Sequence, residues 1–184
     1  ASDDEEESEE DSDEEEDEEE VERKREEMYE TCRQARFEFE KFACIRRPED
    51  WVKGLWFNKK KAIATQMTHQ PMVIAKSMLD NNDSKYKKES TRIHKCILGY
   101  CGDKTMNFPE MLAKDILDKG VKNRDLIDEI FVQICKQISN NPKPESIARC
   151  WQLMCMAVGT FPPSSEFKNH LYNFLLKFRP TPGL

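Results

Sequence analysis

Two apolar stripes at helical spacing, joined by a short polar break, constrain this chain more than any other feature. Leu126, Ile127, Ile130, Phe131, Ile134 and Ile138 recur at steps of one, three and four. On a helix these positions share one face. Ile147, Cys150, Trp151, Met154, Cys155 and Val158 repeat the rhythm. Between them lies Ser139-Asn-Asn-Pro-Lys-Pro144, where asparagine and proline end one helix and start the next. Pro162-Pro163-Ser164 closes the second stretch. The pattern predicts an antiparallel helical hairpin buried in an all-helical core.

The rest of the chain reads in the same class. Val21 to about Ile45 holds no Gly or Pro, and Met28, Cys32, Ala35, Phe39 and Phe42 form an apolar stripe. One long helix is expected there, ended by Arg46-Arg-Pro-Glu-Asp50. Trp51, Leu55, Trp56 and Phe57 form an aromatic cluster, expected to plug the core. Met72 to Leu79 reads as a short buried helix behind Pro71. Ser84 to Cys101 reads as a helix with Tyr86, Ile93, Ile97 and Tyr100 inward, stopped by Gly102-Asp103. Asn107 is expected to cap the next helix, with Pro109 just inside it and Met111, Leu112, Ile116 and Leu117 facing the core. Gly120 is expected to end it. Phe167, Leu171, Phe174, Leu175 and Phe178 mark a last helix after Ser164-Ser-Glu166. No strand pattern and no internal repeat is present.

Charge separates the chain into two parts. Residues 1–20 contain sixteen acids and no base. The whole chain carries −7, so residues 21–184 carry +9. Twenty residues without a large apolar side chain cannot offset the entropy of ordering, and a disordered acidic tail is expected. Ala1 followed by the acid run points to a fragment of a longer protein. The seven cysteines are odd in number and fall largely on apolar helix faces, which fits reduced thiols better than a disulfide framework. No run of eighteen apolar residues occurs.

The residues offer little for catalysis. His94 and Cys96 project to opposite sides of a helix, and no CxxC pair supports a zinc site with Cys101. His69, His94 and His170 are scattered relative to the cysteines. No phosphate-binding glycine loop is present. Asp128 and Glu129 are adjacent on their helix, so their side chains diverge by about 100° and read as partners for neighbouring bases. The expectation is a non-enzyme without cofactor or metal.

The hairpin's wording is more specific than its periodicity. Asp128-Glu-Ile-Phe-Val-Gln-Ile-Cys-Lys-Gln137, Ser146-Ile-Ala-Arg-Cys-Trp-Gln-Leu-Met154 and Gly159-Thr-Phe-Pro-Pro-Ser164 closely resemble the myosin tail homology 4 domain. That family comprises interaction modules in unconventional myosin tails, a plant kinesin and some RhoGAP proteins. The resemblance is strongest over residues 126–164 and moderate over 84–125. It implies a compact helical bundle, commonly beside a FERM domain, that binds acidic peptides and in several cases microtubules. Arg149 and Trp151 fall on the family's Arg-Gly-Trp-Glu-type segment and are expected to be structural, with Asp128 or Glu129 pairing Arg149. Cys150 stands where the family usually has glycine and Gln152 where it usually has glutamate, which implies looser local packing. Arg149 lacks a flexible glycine-rich loop and does not read as a RhoGAP arginine finger.

Lys59, Lys60, Lys61, Lys76, Lys85, Lys87, Lys88, Arg92 and Lys95 face only Asp80, Asp83 and Glu89, a local excess of +6. All but Lys76 are taken as one partner-binding patch for acidic protein segments, tubulin tails or cargo adaptors. No nucleic-acid motif accompanies it. The acidic tail is expected to compete for it in cis. Expected boundaries are an acidic tail over 1–20, a preceding helix over 21–50, the domain over 51–178 and a linker over 179–184. The function expected is a cytoplasmic, cytoskeleton-associated module of a motor tail. The alternatives are a scaffold beside a RhoGAP domain and an autoinhibitory module of a motor.

Overall fold

The computed structural model describes the backbone of residues 3–178 and the side chains of residues 18–178. The expected 179–184 linker lies outside them. The helices are α1 (Asp3–Cys32), α2 (Pro48–Trp51), α3 (Lys59–Ala64), α4 (Ser84–Tyr100), α5 (Pro109–Lys122), α6 (Ile127–Ile138), α7 (Pro144–Thr160) and α8 (Lys168–Leu176). Among the described residues the only strand-like pairing is an isolated antiparallel bridge from Ile45 to Leu79. The all-α class holds.

The α6–α7 hairpin forms the centre, with α4 and α5 packed on it and α1 packed on α8. Ile130, Phe131, Ile134, Leu153 and Ala157 from the hairpin are fully buried, with Ile93 and Ile97 of α4 and Ile116 of α5. Each large side chain of this kind contributes about 1.5–3 kcal/mol by burial. The second stripe is rotated from its expected face. Leu153 and Ala157 turn inward, while Cys155 and Val158 are exposed. Their spacing from Trp151 satisfied the helical period but lay at the edge of the stripe.

Several local expectations change. The helix expected to reach Ile45 ends at Cys32, and short 3-10 turns follow over Ala35–Phe37 and Phe39–Lys41. A continuous helix would carry the chain past the domain. The turns instead fold it back so that Phe39 and Phe42 are buried, against the rings of Phe174 and Phe167. At its other end α1 continues back to Asp3 through the acidic segment. Every residue from Glu18 to Glu27 is exposed, and among the described side chains of the helix burial begins at Met28. Like charges along such a stretch oppose helix formation. Before α5 the cap position belongs to Phe108, in the left-handed region at φ 53°, rather than to Asn107, and Pro109 does open the helix. Met111 is exposed. Gly120 lies inside α5, where a β-carbon would come within 2.4 Å of the Phe161 ring. It serves helix-to-loop contact, not termination.

The largest difference concerns residues 65–80. Met72–Leu79 is not helical. Its backbone is claimed instead by side chains of α6. Glu129, Gln133, Lys136 and Gln137 recur at steps of four, three and one, and all four are fully buried. Glu129 accepts from the Met78 and Leu79 N–H groups, each at 2.8 Å. Lys136 donates to the carbonyls of Thr65 at 3.1 Å and Thr68 at 2.5 Å. Gln137 donates to the Gln70 carbonyl at 3.0 Å. Backbone groups paired in this way satisfy the need that a helix would otherwise meet.

Candidate interaction surface

Helix α4 begins at Asp83, whose carboxylate accepts from the Lys85 and Tyr86 N–H groups. Its inner face buries Tyr86, Ser90, Ile93, His94 and Ile97. Lys85, Lys88, Arg92 and Lys95 recur on the outer face at steps of three, four and three, and all are exposed. They form a stripe of about 15 Å along the helix. Arg92 bonds Glu89 at 3.2 Å. Glu89 also takes Lys119 of α5, and that bond, with Arg92, holds its carboxyl below the usual range against the opposing effect of burial. Lys85, Lys88 and Lys95 have no acidic partner among the described residues.

One residue of the expected patch lies off this stripe. Lys87 leaves the stripe and lines a cleft with Arg46, Arg47, Asp50, Lys53, Lys76, Asp80 and Asn82. Two of the cations there, Arg46 and Lys76, fasten the fold. Buried Arg46 donates to the Ser77 carbonyl at 2.9 Å and hydroxyl at 2.7 Å, to the Leu79 carbonyl at 3.1 Å, and to Asp80 at 3.2 Å. Lys76 donates to the carbonyls of Asp50 at 2.6 Å and Lys53 at 2.7 Å. Burial, then the charge of Arg46, pulls its ammonium down from the ordinary value. Lys59, Lys60 and Lys61 are exposed where they open α3, which packs on α2.

The aromatic cluster does not plug the core as expected. Trp51 packs half-buried against it, but Trp56 is 90% and Phe57 82% exposed. Phe39, Phe42, Ile74 and Met78 are among the residues that fill the core instead.

The expected pairing of Arg149 with Asp128 or Glu129 is also absent. Arg149 is exposed, donates to the Tyr100 carbonyl at 3.2 Å, and lies 5.9 Å from the Tyr100 ring centroid. Asp128 instead accepts from the Ser164 N–H at 2.9 Å, bracing the turn into α8. Glu129 accepts, besides Met78 and Leu79, from the Tyr86 hydroxyl at 3.2 Å, the Ser90 hydroxyl at 2.5 Å and the Gln133 amide at 2.7 Å. Adjacent helix positions sent the two acids to different environments, neither containing Arg149. Trp151 does serve packing, stacked 5.9 Å from Phe174 and edge-on at 4.9 Å to Phe178. Cys150 is fully buried with its sulfur 2.8 Å from that of Cys101, so the space expected to be loose is filled.

Asp103 does more than stop α4. Its buried carboxylate accepts from Ser146 at 2.7 Å, Gln137 at 2.9 Å and Lys143 at 3.2 Å, with His69 at 3.2 Å. Burial alone would raise its pKa, but these bonds hold it below the usual range. Burial pushes the Cys32, Cys44, Cys96 and Cys135 thiols up, opposite to nucleophile activation. Among the described residues no three His, Cys, Asp or Glu side chains gather at one point. The polar stripe of α6 was visible in the sequence as charged and amide residues at helical spacing beside an apolar face.

Comparison with known proteins decides what this helical architecture is. Residues 113–182 match the family model of the MyTH4 domain. The chain contains a MyTH4 domain. This is the myosin tail homology 4 family that residues 126–164 resemble. The high molecular weight form of myosin-1 from Acanthamoeba castellanii is 37% identical over 141 residues, 76% of this chain and 9% of that protein. The kinesin-like protein KIN-14E of Arabidopsis thaliana is 26% identical over 140 residues, 67% of this chain and 11% of that protein. The chain thus spans a small part of either relative. Among solved structures, the human myosin 7b C-terminal MyTH4-FERM domain in complex with the harmonin-a PDZ3 domain superposes with a TM-score of 0.59 and 25% identity, covering 73% of this chain and 26% of that one. A Dictyostelium discoideum myosin VII MyTH4-FERM structure gives a TM-score of 0.57 and 26% identity over 61% of this chain and 24% of that one. The MyTH4 domain is a protein-binding module of motor tails. No described helix is long and apolar enough to cross a membrane.

Proposed function

We propose that this MyTH4 domain is a non-catalytic interaction module of a cytoskeletal motor tail, and that the outer face of α4 binds acidic protein segments such as the glutamate-rich tails of tubulin. The stripe of Lys85, Lys88, Arg92 and Lys95 carries the reading: three of its four cations are exposed and lack an acidic partner among the described residues. Exposed, unpaired cations at helical spacing steer an acidic chain and let it settle at little desolvation cost. The similarity to a kinesin-like protein as well as to myosins supports a cytoskeletal setting. The MyTH4-FERM neighbours support a FERM domain beside it in the full-length protein.

Microtubule co-sedimentation across a salt series tests the assignment. Reversing charge at Lys85, Lys88 and Lys95 to Glu should weaken pelleting about tenfold or more at low salt and flatten its salt dependence. Pelleting that is unchanged at every salt concentration sinks the proposal.

A further inference from the structure

The loop between α2 and α3 carries an exposed apolar group that neither the core nor the α4 stripe uses. Leu55 is 41%, Trp56 90% and Phe57 82% exposed. Three consecutive large apolar residues in water are unfavourable unless something covers them. The loop is built to hold them out. Gly54 at φ 90° and Asn58 at φ 58° flank the trio with left-handed turns. The Leu55 N–H closes a turn onto the Val52 carbonyl at 3.0 Å. Lys76, from the buried segment beneath, grips the base through the Lys53 carbonyl at 2.7 Å. The aromatic tip is therefore an anchored projection.

Its electrostatic setting is one-sided. From Trp51 to Leu79 the sequence holds five lysines and no acid. Lys53 precedes the tip by three residues, and Lys59, Lys60 and Lys61 follow it directly, all exposed. The nearest acid before it is Asp50, which is occupied by Arg47 at 2.9 Å. Ile63, 40% exposed, lies one turn beyond the lysines on α3.

We propose that this loop is a peripheral membrane anchor, with Trp56 and Phe57 entering the headgroup region of an anionic bilayer and Lys53, Lys59, Lys60 and Lys61 meeting the lipid phosphates and carboxylates. Charge complementarity selects this occupant. An aromatic tip ringed by lysine suits the boundary between apolar chains and negative headgroups, where indole and ammonium groups each find their preferred depth. The core of a protein interface, by contrast, is depleted of lysine. Aromatic insertion and electrostatic attraction are two weak signals that together give a stable, reversible attachment. The inference is independent of the α4 assignment, because it uses a different loop and different lysines.

The full chain is tested against vesicles of phosphatidylcholine alone and with about one-third phosphatidylserine, by co-sedimentation and tryptophan emission. The chain should pellet with the anionic vesicles only, release as salt rises, and shift its emission to the blue. Trp56→Ala with Phe57→Ala should lower that binding about tenfold or more and abolish the shift. Its thermal unfolding should not change, since both side chains are exposed. Trp56→Phe should abolish the shift while retaining most of the binding, which assigns the signal to the tip. Reversing Lys59, Lys60 and Lys61 to Glu should also release the vesicles. Absence of binding to anionic vesicles overturns the inference, as does equal binding by the double alanine variant. Loss of microtubule pelleting by that variant with vesicle binding intact makes the loop a protein contact and equally overturns it. The Lys85, Lys88 and Lys95 reversals bear on the α4 proposal alone and should leave vesicle binding within about twofold.

Discussion

Glu129 is buried with no ion-pair partner among the described residues, and it is held by two backbone N–H groups, two hydroxyls and one amide. Donors aimed at one acceptor replace the water it lost. Glu129→Gln would turn an amide N–H₂ toward those donors and leave at least one unmatched. The expected loss is about 2–4 kcal/mol of unfolding free energy in urea denaturation. A change within about 0.5 kcal/mol would show that the network relaxes freely. Two turns along, burial draws the Lys136 ammonium down to about 7 from an ordinary 10.5. Between these values the unfolded chain binds a proton that the folded chain has released. Stability should therefore rise with pH across that window, and below about 7 this contribution should stay flat. Unfolding free energies measured at about pH 7, 8 and 9 should climb for the natural chain and climb less for Lys136→Met. Parallel profiles for the two proteins would disprove the assignment.

At the scale of elements, α6 organises the domain from both faces. Its apolar side meets α7, as periodicity alone indicates. Its polar side fastens residues 65–80 and the inner face of α4, where Gln133 donates to the Ser90 carbonyl at 3.0 Å. Composition over Met72–Leu79 favours a helix, but backbone bonds to Glu129 outweigh local propensity. Gly120 shows the same priority of packing. Alanine there would add up to about 1 kcal/mol of helix propensity. It would also drive a methyl group into the Phe161 ring and toward Ile130, contacts of 2.4 and 3.1 Å from the added carbon. Gly120→Ala should destabilise the domain by about 1–3 kcal/mol. Thermal unfolding checks this, and a midpoint at or above that of the natural chain would refute it. Phe161→Leu in the same background should recover part of the loss, because the two sites share one space.

Across the whole molecule, an acidic segment of −16 precedes a remainder carrying +9. Glu18 to Glu27 are all exposed, so removing residues 1–27 should leave the unfolding midpoint unchanged. The same truncation should raise microtubule pelleting at low salt, because a tethered acidic chain competes for the α4 cations at high effective concentration. Equal pelleting with and without the segment would disprove that competition. The legibility of the molecule follows from the range of its interactions. The α6–α7 hairpin, the α4 and α8 stripes and the Pro109 start could be read directly, because helical spacing and backbone stereochemistry act within a few residues. The candidate surface was legible only as a list of cations. Whether Lys76 fastens the cleft, Lys87 lines it, Arg92 pairs with Glu89, or Lys85, Lys88 and Lys95 stand free depends on the folded arrangement of these helices and loops. The sequence by itself determined an all-helical MyTH4 domain with separated charge. Only the tertiary structure decided that Glu129 binds backbone rather than Arg149, that residues 65–80 run without a helix, and that Trp56 and Phe57 face outward. Burial and hydrogen-bond partners across tens of residues set those outcomes, and no local pattern encodes them.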